Sequence, residues 1–111
     1  MSKEISCDAD LGEYRTLVSI CVERVRNSYG GADNDIYITL ADGWQSMAKS
    51  IKISFKKVCD LKFGDIIHMK SFILEITNIR HFGMEDIFFS VREINDDVIS
   101  FKCKSLLISQ L

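Results

Sequence analysis

At 111 residues with a formal net charge of −2, the chain has the length of one domain and no room for a second hydrophobic core. Hydrophobic residues make up 47% and charged residues 27%, a mixture that excludes a disordered chain, and the lack of any proline excludes polyproline and collagen-like segments. Fourteen basic against sixteen acidic side chains exclude a strongly basic binder of phosphate backbones and a strongly acidic mimic of DNA, which leaves only local charge to act.

The amino-terminal stretch MSKEISCDAD is polar and acidic and does not read as a secretory segment. Cys7, Cys21, Cys59 and Cys103 are scattered without a C-x-x-C pair, which points to buried thiols in a reducing cytoplasm rather than to disulfides. No apolar run approaches the roughly 18 residues of a membrane span.

The next segment predicts an amphipathic helix over about residues 10–29. Leu11, Tyr14, Leu17, Val18, Cys21, Val22 and Val25 recur at three- and four-residue spacing, the signature of one helical face. Asp10 with Glu13 forms a capping-box pattern, Arg24 and Arg26 suit the negative end of the helix dipole, and Gly30-Gly31 ends the segment. The β-branched run TLVSICV competes as a strand, but the punctuation at both ends favours the helix.

From about residue 35 to residue 111 the apolar period shifts to two, which predicts strands. Ile36–Leu40 is followed by an expected hairpin turn at Asp42-Gly43. In 50–57, Ile51, Ile53 and Phe55 alternate with Lys52, Ser54 and Lys56, as in a half-buried strand with a basic outer row. The pattern Leu61-x-x-Gly64-Asp65-x-Ile67 resembles the turn that leads into a strand in many small β-barrels, with Gly64 taking unusual backbone angles and Asp65 bonding the turn. Strands over about 72–80, 87–94 and 98–104 form an antiparallel meander. The fold class expected is therefore α+β: an N-terminal helix packed on a curved antiparallel sheet or a small SH3-like or OB-like barrel.

Catalytic and metal chemistry finds little support in these residues. Cys59, His68, His81 and Cys103 carry suitable atoms but lack the closely spaced ligand pairs typical of zinc sites. A cysteine nucleophile would need one of those histidines beside it, whereas Cys103 alternates with Ile99 and Phe101 like a core position. The carboxylate pairs Asp60/Asp65, Glu85/Asp86 and Asp96/Asp97 fall in expected turns and read as solvated. No enzyme activity, cofactor, metal or small-molecule substrate is expected.

A binding module is the functional reading that remains, with protein ahead of nucleic acid. The fourth and fifth strands carry apolar residues on both faces, and the surplus set Ile73, Ile79, Phe88 and Ile94, with Trp44 and Phe82 on loops, predicts a protein-binding or self-associating surface. The acidic residues Glu4, Asp8, Asp10, Glu13, Asp33 and Asp35 offer a second surface for a basic partner. The nucleic-acid alternative rests on Lys52, Lys56, Lys57, Lys62 and Lys70, interleaved with aromatic residues. Fifteen isoleucines, and nine lysines against five arginines, suit an AT-rich genome, compatible with a phage or mobile-element accessory protein that inhibits a host complex.

Overall fold

The computed structural model describes residues 2–4, 11–67 and 69–111. Nine strands make up its regular structure: β1 (Ser2–Glu4), β2 (Thr16–Arg26), β3 (Ala32–Ala41), β4 (Ser50–Lys56), β5 (Cys59–Phe63), β6 (Leu74–Asn78), β7 (Phe89–Glu93), β8 (Ile99–Cys103) and β9 (Ser105–Gln110). The only helical element among the described residues is a 3-10 turn, Arg80–Phe82. The strands form two antiparallel sheets, ordered β1-β9-β4-β3-β2 and β5-β8-β7-β6.

The expected α+β fold is thus corrected to a two-sheet β fold, with neither a helix over 10–29 nor a single closed barrel. Most of the expected helix is β2, which pairs along its whole length with β3, setting Leu17 opposite Leu40, Ile20 opposite Ile38 and Val22 opposite Ile36. Thr16, Val18, Ile20, Val22 and Val25 are β-branched, a composition that favours a pleated surface once a partner strand is present. A bulge between Leu17 and Ser19 shifts the register by one residue, which disguises the alternation of two. Gly30 is not a helix stop but the positive-φ residue (+82°) of the β2–β3 turn. There the Asn27 side-chain oxygen accepts from the backbone N–H of Tyr29 at 3.0 Å and of Gly31 at 3.1 Å. The expected capping residue Asp10 lies outside the described residues, as do Cys7, Asp8 and His68.

The remaining strands follow the alternation in the sequence, with local corrections. The turn after β3 is a loop over 42–49 rather than a two-residue hairpin, closed by Asp42 N–H to the Lys49 carbonyl at 3.0 Å and Lys49 N–H to the Asp42 side chain at 3.0 Å. Around Gly64 the strand precedes the turn rather than following it, and Gly64 is not among the positive-φ residues. Asp65 does bond this turn, accepting from Ile67 N–H at 2.9 Å. Two strands, β1 and β9, have no counterpart among those expected from the sequence; β9 lies between β1 and β4 in the larger sheet.

Both sheets turn one apolar row inward. Ile36, Ile38, Leu40, Ile51, Ile53, Phe55 and Leu106 meet Leu74, Ile76, Phe89, Val91, Ile99, Phe101 and Cys103 in a single core. Phe55 and Phe101 cross it edge to face, ring centroids 4.9 Å apart. The chain passes between sheets through Lys57-Val58 and again through Lys104 alone. At the first crossing Lys57 has φ +53°, and its N–H is held at 3.2 Å by the buried Asp35 carboxylate.

Candidate functional site

The arrangement leaves β2 at an edge of the five-stranded sheet, with no helix over it among the described residues. Beside its first half lies a groove of about 360 Å³ whose walls include Leu17, Val18, Ile20, Trp44, Ile67 and Phe72. Three elements build it: the β2 edge, the 42–49 loop and the segment after β5. Phe72 N–H donates to the Arg15 carbonyl at 2.8 Å, which ties that segment to the start of β2. The floor is buried, since Phe72 is fully enclosed and Leu17 and Ile20 pack on the core. The rim is not: Trp44 is 77% exposed, Ile67 82% and Val18 47%. Large apolar groups held in water on closed turns are unfavourable unless something covers them. Arg15 and Lys70 add positive charge to the same walls.

Of the six residues expected to bind protein, the structure brings Trp44 to this groove. Ile73 follows the groove residue Phe72 and accepts from Ile94 N–H at 2.9 Å, so these two share the near end of the β6–β7 ladder. Ile79 and Phe88 sit at the far end, joined by Ile79 N–H to the Phe88 carbonyl at 2.8 Å. Ile79 is buried, Phe88 half-buried under the Arg80 guanidinium, and Phe82 exposed on the 3-10 turn beside them. The two ends lie about 20 Å apart along β6, so the six do not form one patch. A helical stripe through Val18 hides it and the β2 edge from the sequence, and Ile67 stands there only as the apolar end of the Gly64-Asp65 turn pattern. The strand-like run TLVSICV was the signal that would have exposed them.

The five lysines are spread over both sheets. Lys52 and Lys56 flank Tyr37 on the outer face of the larger sheet, their ammonium groups 4.9 and 5.0 Å from its ring centre. Lys56 also contacts the Tyr37 hydroxyl at 3.0 Å and Asp35 at 3.1 Å. The Tyr37 hydrogen bond, opposed by burial and aided by Asp35, raises its pKa. Lys57 sits at the crossing between sheets. Lys62 lies on the other sheet, opposite Ser100, and Lys70 beside the groove. Of the acidic set, Asp33 and Asp35 are engaged by Asn27 and Lys56.

The cysteine chemistry runs against nucleophilic use. Burial pushes the Cys103 thiol up to about 12, with Cys59 adding to the shift. Burial and the neighbouring Asp60 likewise raise Cys59, against a lowering by Lys102. A thiol needs the opposite shift to attack at neutral pH. Among the described residues no group of three or more His, Cys, Asp or Glu side chains could hold a metal ion. Cys21 is exposed on β2. With iodoacetamide at pH 8 the expected result is rapid labelling of Cys21 and protection of Cys103 until denaturant is added, read by peptide mass spectrometry. Equal labelling of both in the native protein would contradict the packing described.

These features define a small two-sheet β fold with a groove of exposed apolar rim at one sheet edge. The chain belongs to the family described as Immunity protein PIM8, whose model matches residues 9–109. That membership fits a non-enzymatic, protein-binding role. Searches of curated proteins and of solved structures each found no match. Among the described residues no helix is long and apolar enough to cross a membrane.

Proposed function

We propose that this protein neutralises a toxin protein by binding it stoichiometrically, with the groove beside β2 as the central contact. The family membership supplies the class of partner. The observation that carries the choice of surface is the trio Trp44, Ile67 and Val18, exposed around one groove with a buried floor. An aromatic anchor ringed by apolar groups, with basic side chains at the margin, has the composition of an interface centre. A second hollow, under the β2–β3 turn and lined by Tyr29, Asn34, Lys57, Cys59, Asp86 and Ile87, is wider and lacks such a cluster.

The test is suppression of toxicity by co-expression, followed by titration of the purified toxin. Inhibition is expected to saturate at equimolar protein. Trp44→Glu and Ile67→Glu are each expected to weaken binding by about 30-fold or more, the scale of an interface hot spot of about 2 kcal/mol, while leaving the folded state intact because both side chains lie outside the core. Inactivation by substoichiometric protein would indicate catalysis and overturn the reading. Full inhibition by both variants would remove the groove from the interface.

A further inference from the structure

We infer that the open edge of β2 accepts an extended strand of the toxin, one that places two acidic side chains opposite Arg24 and Arg26. This rests on the reading that the chain works by binding a toxin, and specifies what the partner presents.

The four sheet edges are unequal. β1 has 3 residues, β5 and β6 have 5 each, and β5 is further broken by an irregularity between Cys59 and Lys62. β2 has 11 residues. Its one irregularity lies between Leu17 and Ser19, so Ser19–Arg26 is a regular strand about 26 Å long. One side of it is bonded to β3; among the described residues the other has no neighbouring strand. Soluble proteins shield such edges with proline, charged side chains (lysine above all), bulges or short strands. Here the chain has no proline, β2 has no lysine and carries its charges, Glu23, Arg24 and Arg26, only at one end, and the bulge lies before the open stretch. Unshielded backbone donors and acceptors are the requirement for strand addition, in which main-chain bonds give affinity and alternate side chains give specificity.

The side chains state what would fit. Ile20, Val22, Arg24 and Arg26 share one row, because their partners Ile38 and Ile36 belong to the inward row of β3. Among the described residues neither arginine makes an ion pair. The opposite row carries Glu23, across from Asp35. An added strand therefore needs acidic groups opposite Arg24 and Arg26, a basic group opposite Glu23 and apolar groups opposite Val22 and Ile20. A second copy does not meet this requirement. Directly opposed residues of an antiparallel ladder share a face, so two-fold pairing of β2 with itself would set the arginine row against itself, and that row holds no carboxylate.

The test uses the isotope-labelled full chain and a head-to-tail cyclised hairpin peptide whose outer strand reads Glu-Val-Glu-Lys-Val-Thr-Val. Binding is expected to slow amide exchange within Ser19–Arg26 and nowhere in the smaller sheet. Arg24→Glu combined with Arg26→Glu is expected to weaken binding by about tenfold or more, and a peptide with lysine in place of both glutamates to restore it. Native exchange rates in β3 and β4 establish that the double variant is folded. Absence of protection in Ser19–Arg26, unchanged affinity of the double variant, or a dimer of the chain alone with these amides protected would each overturn the inference. If the double variant still neutralises toxin fully while Trp44→Glu does not, the edge is excluded and the groove reading stands. If the native chain fails to inhibit at equimolar ratio, the groove reading fails whatever the peptide does.

Discussion

Glu93→Ala is expected to cost at least about 3 kcal/mol of folding stability, because a buried carboxylate that satisfies several backbone donors would leave them without an acceptor. Glu93 ends β7 and is fully buried. Its oxygens accept from Ile73 N–H at 2.9 Å, Asn95 N–H at 2.9 Å and Asp96 N–H at 2.7 Å. One side chain thus fastens the start of β6 to the β7–β8 turn, and with it the Phe72 wall of the groove. Burial by itself would push the carboxyl pKa up; the N–H groups of Ile73, Asp96, Asn95 and Val98 outweigh it, and the net shift is downward.

The sign of the pH dependence follows. A carboxylate with a depressed folded-state pKa contributes its full stability above the unfolded value, about 4.3 for glutamate, and loses it as pH falls through the folded value. Glu93→Gln keeps one acceptor and is expected to lose less than Glu93→Ala at pH 7, the gap to the native protein closing on acidification below about pH 4. Urea titrations at pH 7 and pH 3 measure both. An alanine variant within about 1 kcal/mol of the native protein at pH 7 would show that water replaces the carboxylate without penalty.

Phe55→Ala is expected to be comparably damaging, at about 3–5 kcal/mol. Phe55 is fully buried on β4, a strand flanked by β3 and β9, and its ring meets Phe101 of the opposing sheet at an interplanar angle of 79°. Truncation removes apolar burial, leaves a cavity between the sheets and breaks an edge-to-face pair worth about 0.5–1.5 kcal/mol. Thermal or urea unfolding of Phe55→Ala, Phe101→Ala and the double variant checks this. The two losses are expected to be non-additive, since either removes the same contact. Strict additivity would mean that the rings are not energetically coupled across the core.

Glu93 and Phe55 differ in how plainly their surroundings show in the sequence. Phe55 was legible: Ile51, Ile53 and Phe55 alternate with lysine and serine, and a local alternation of two survives into any sheet that buries one face. Glu93 was not, because a glutamate beside a turn reads as solvated, and only the convergence of Ile73, Asn95, Asp96 and Val98 makes its burial tolerable. Trp44 was visible as a large aromatic in a polar loop, whereas Ile67 and Val18 became its neighbours only once β2 was a strand.

The residues alone determined a chain with little net charge, the inward rows of β4, β6, β7 and β8, and the antiparallel meander of the last three. These depend on neighbours a few positions apart along the chain. Tertiary structure decided the state of Thr16–Arg26, whose apolar spacing suits a helical face and whose β-branched content suits a strand. An isolated helix over about 10–29, of marginal intrinsic stability, yields to a register of paired positions with β3. Tertiary structure also decided that β9, separated from β8 by Lys104 alone, crosses to the other sheet and lies between β1 and β4. Among the described residues β2 is left at the opposite margin, because a strand's place in a sheet is set by distant partners rather than by its own sequence.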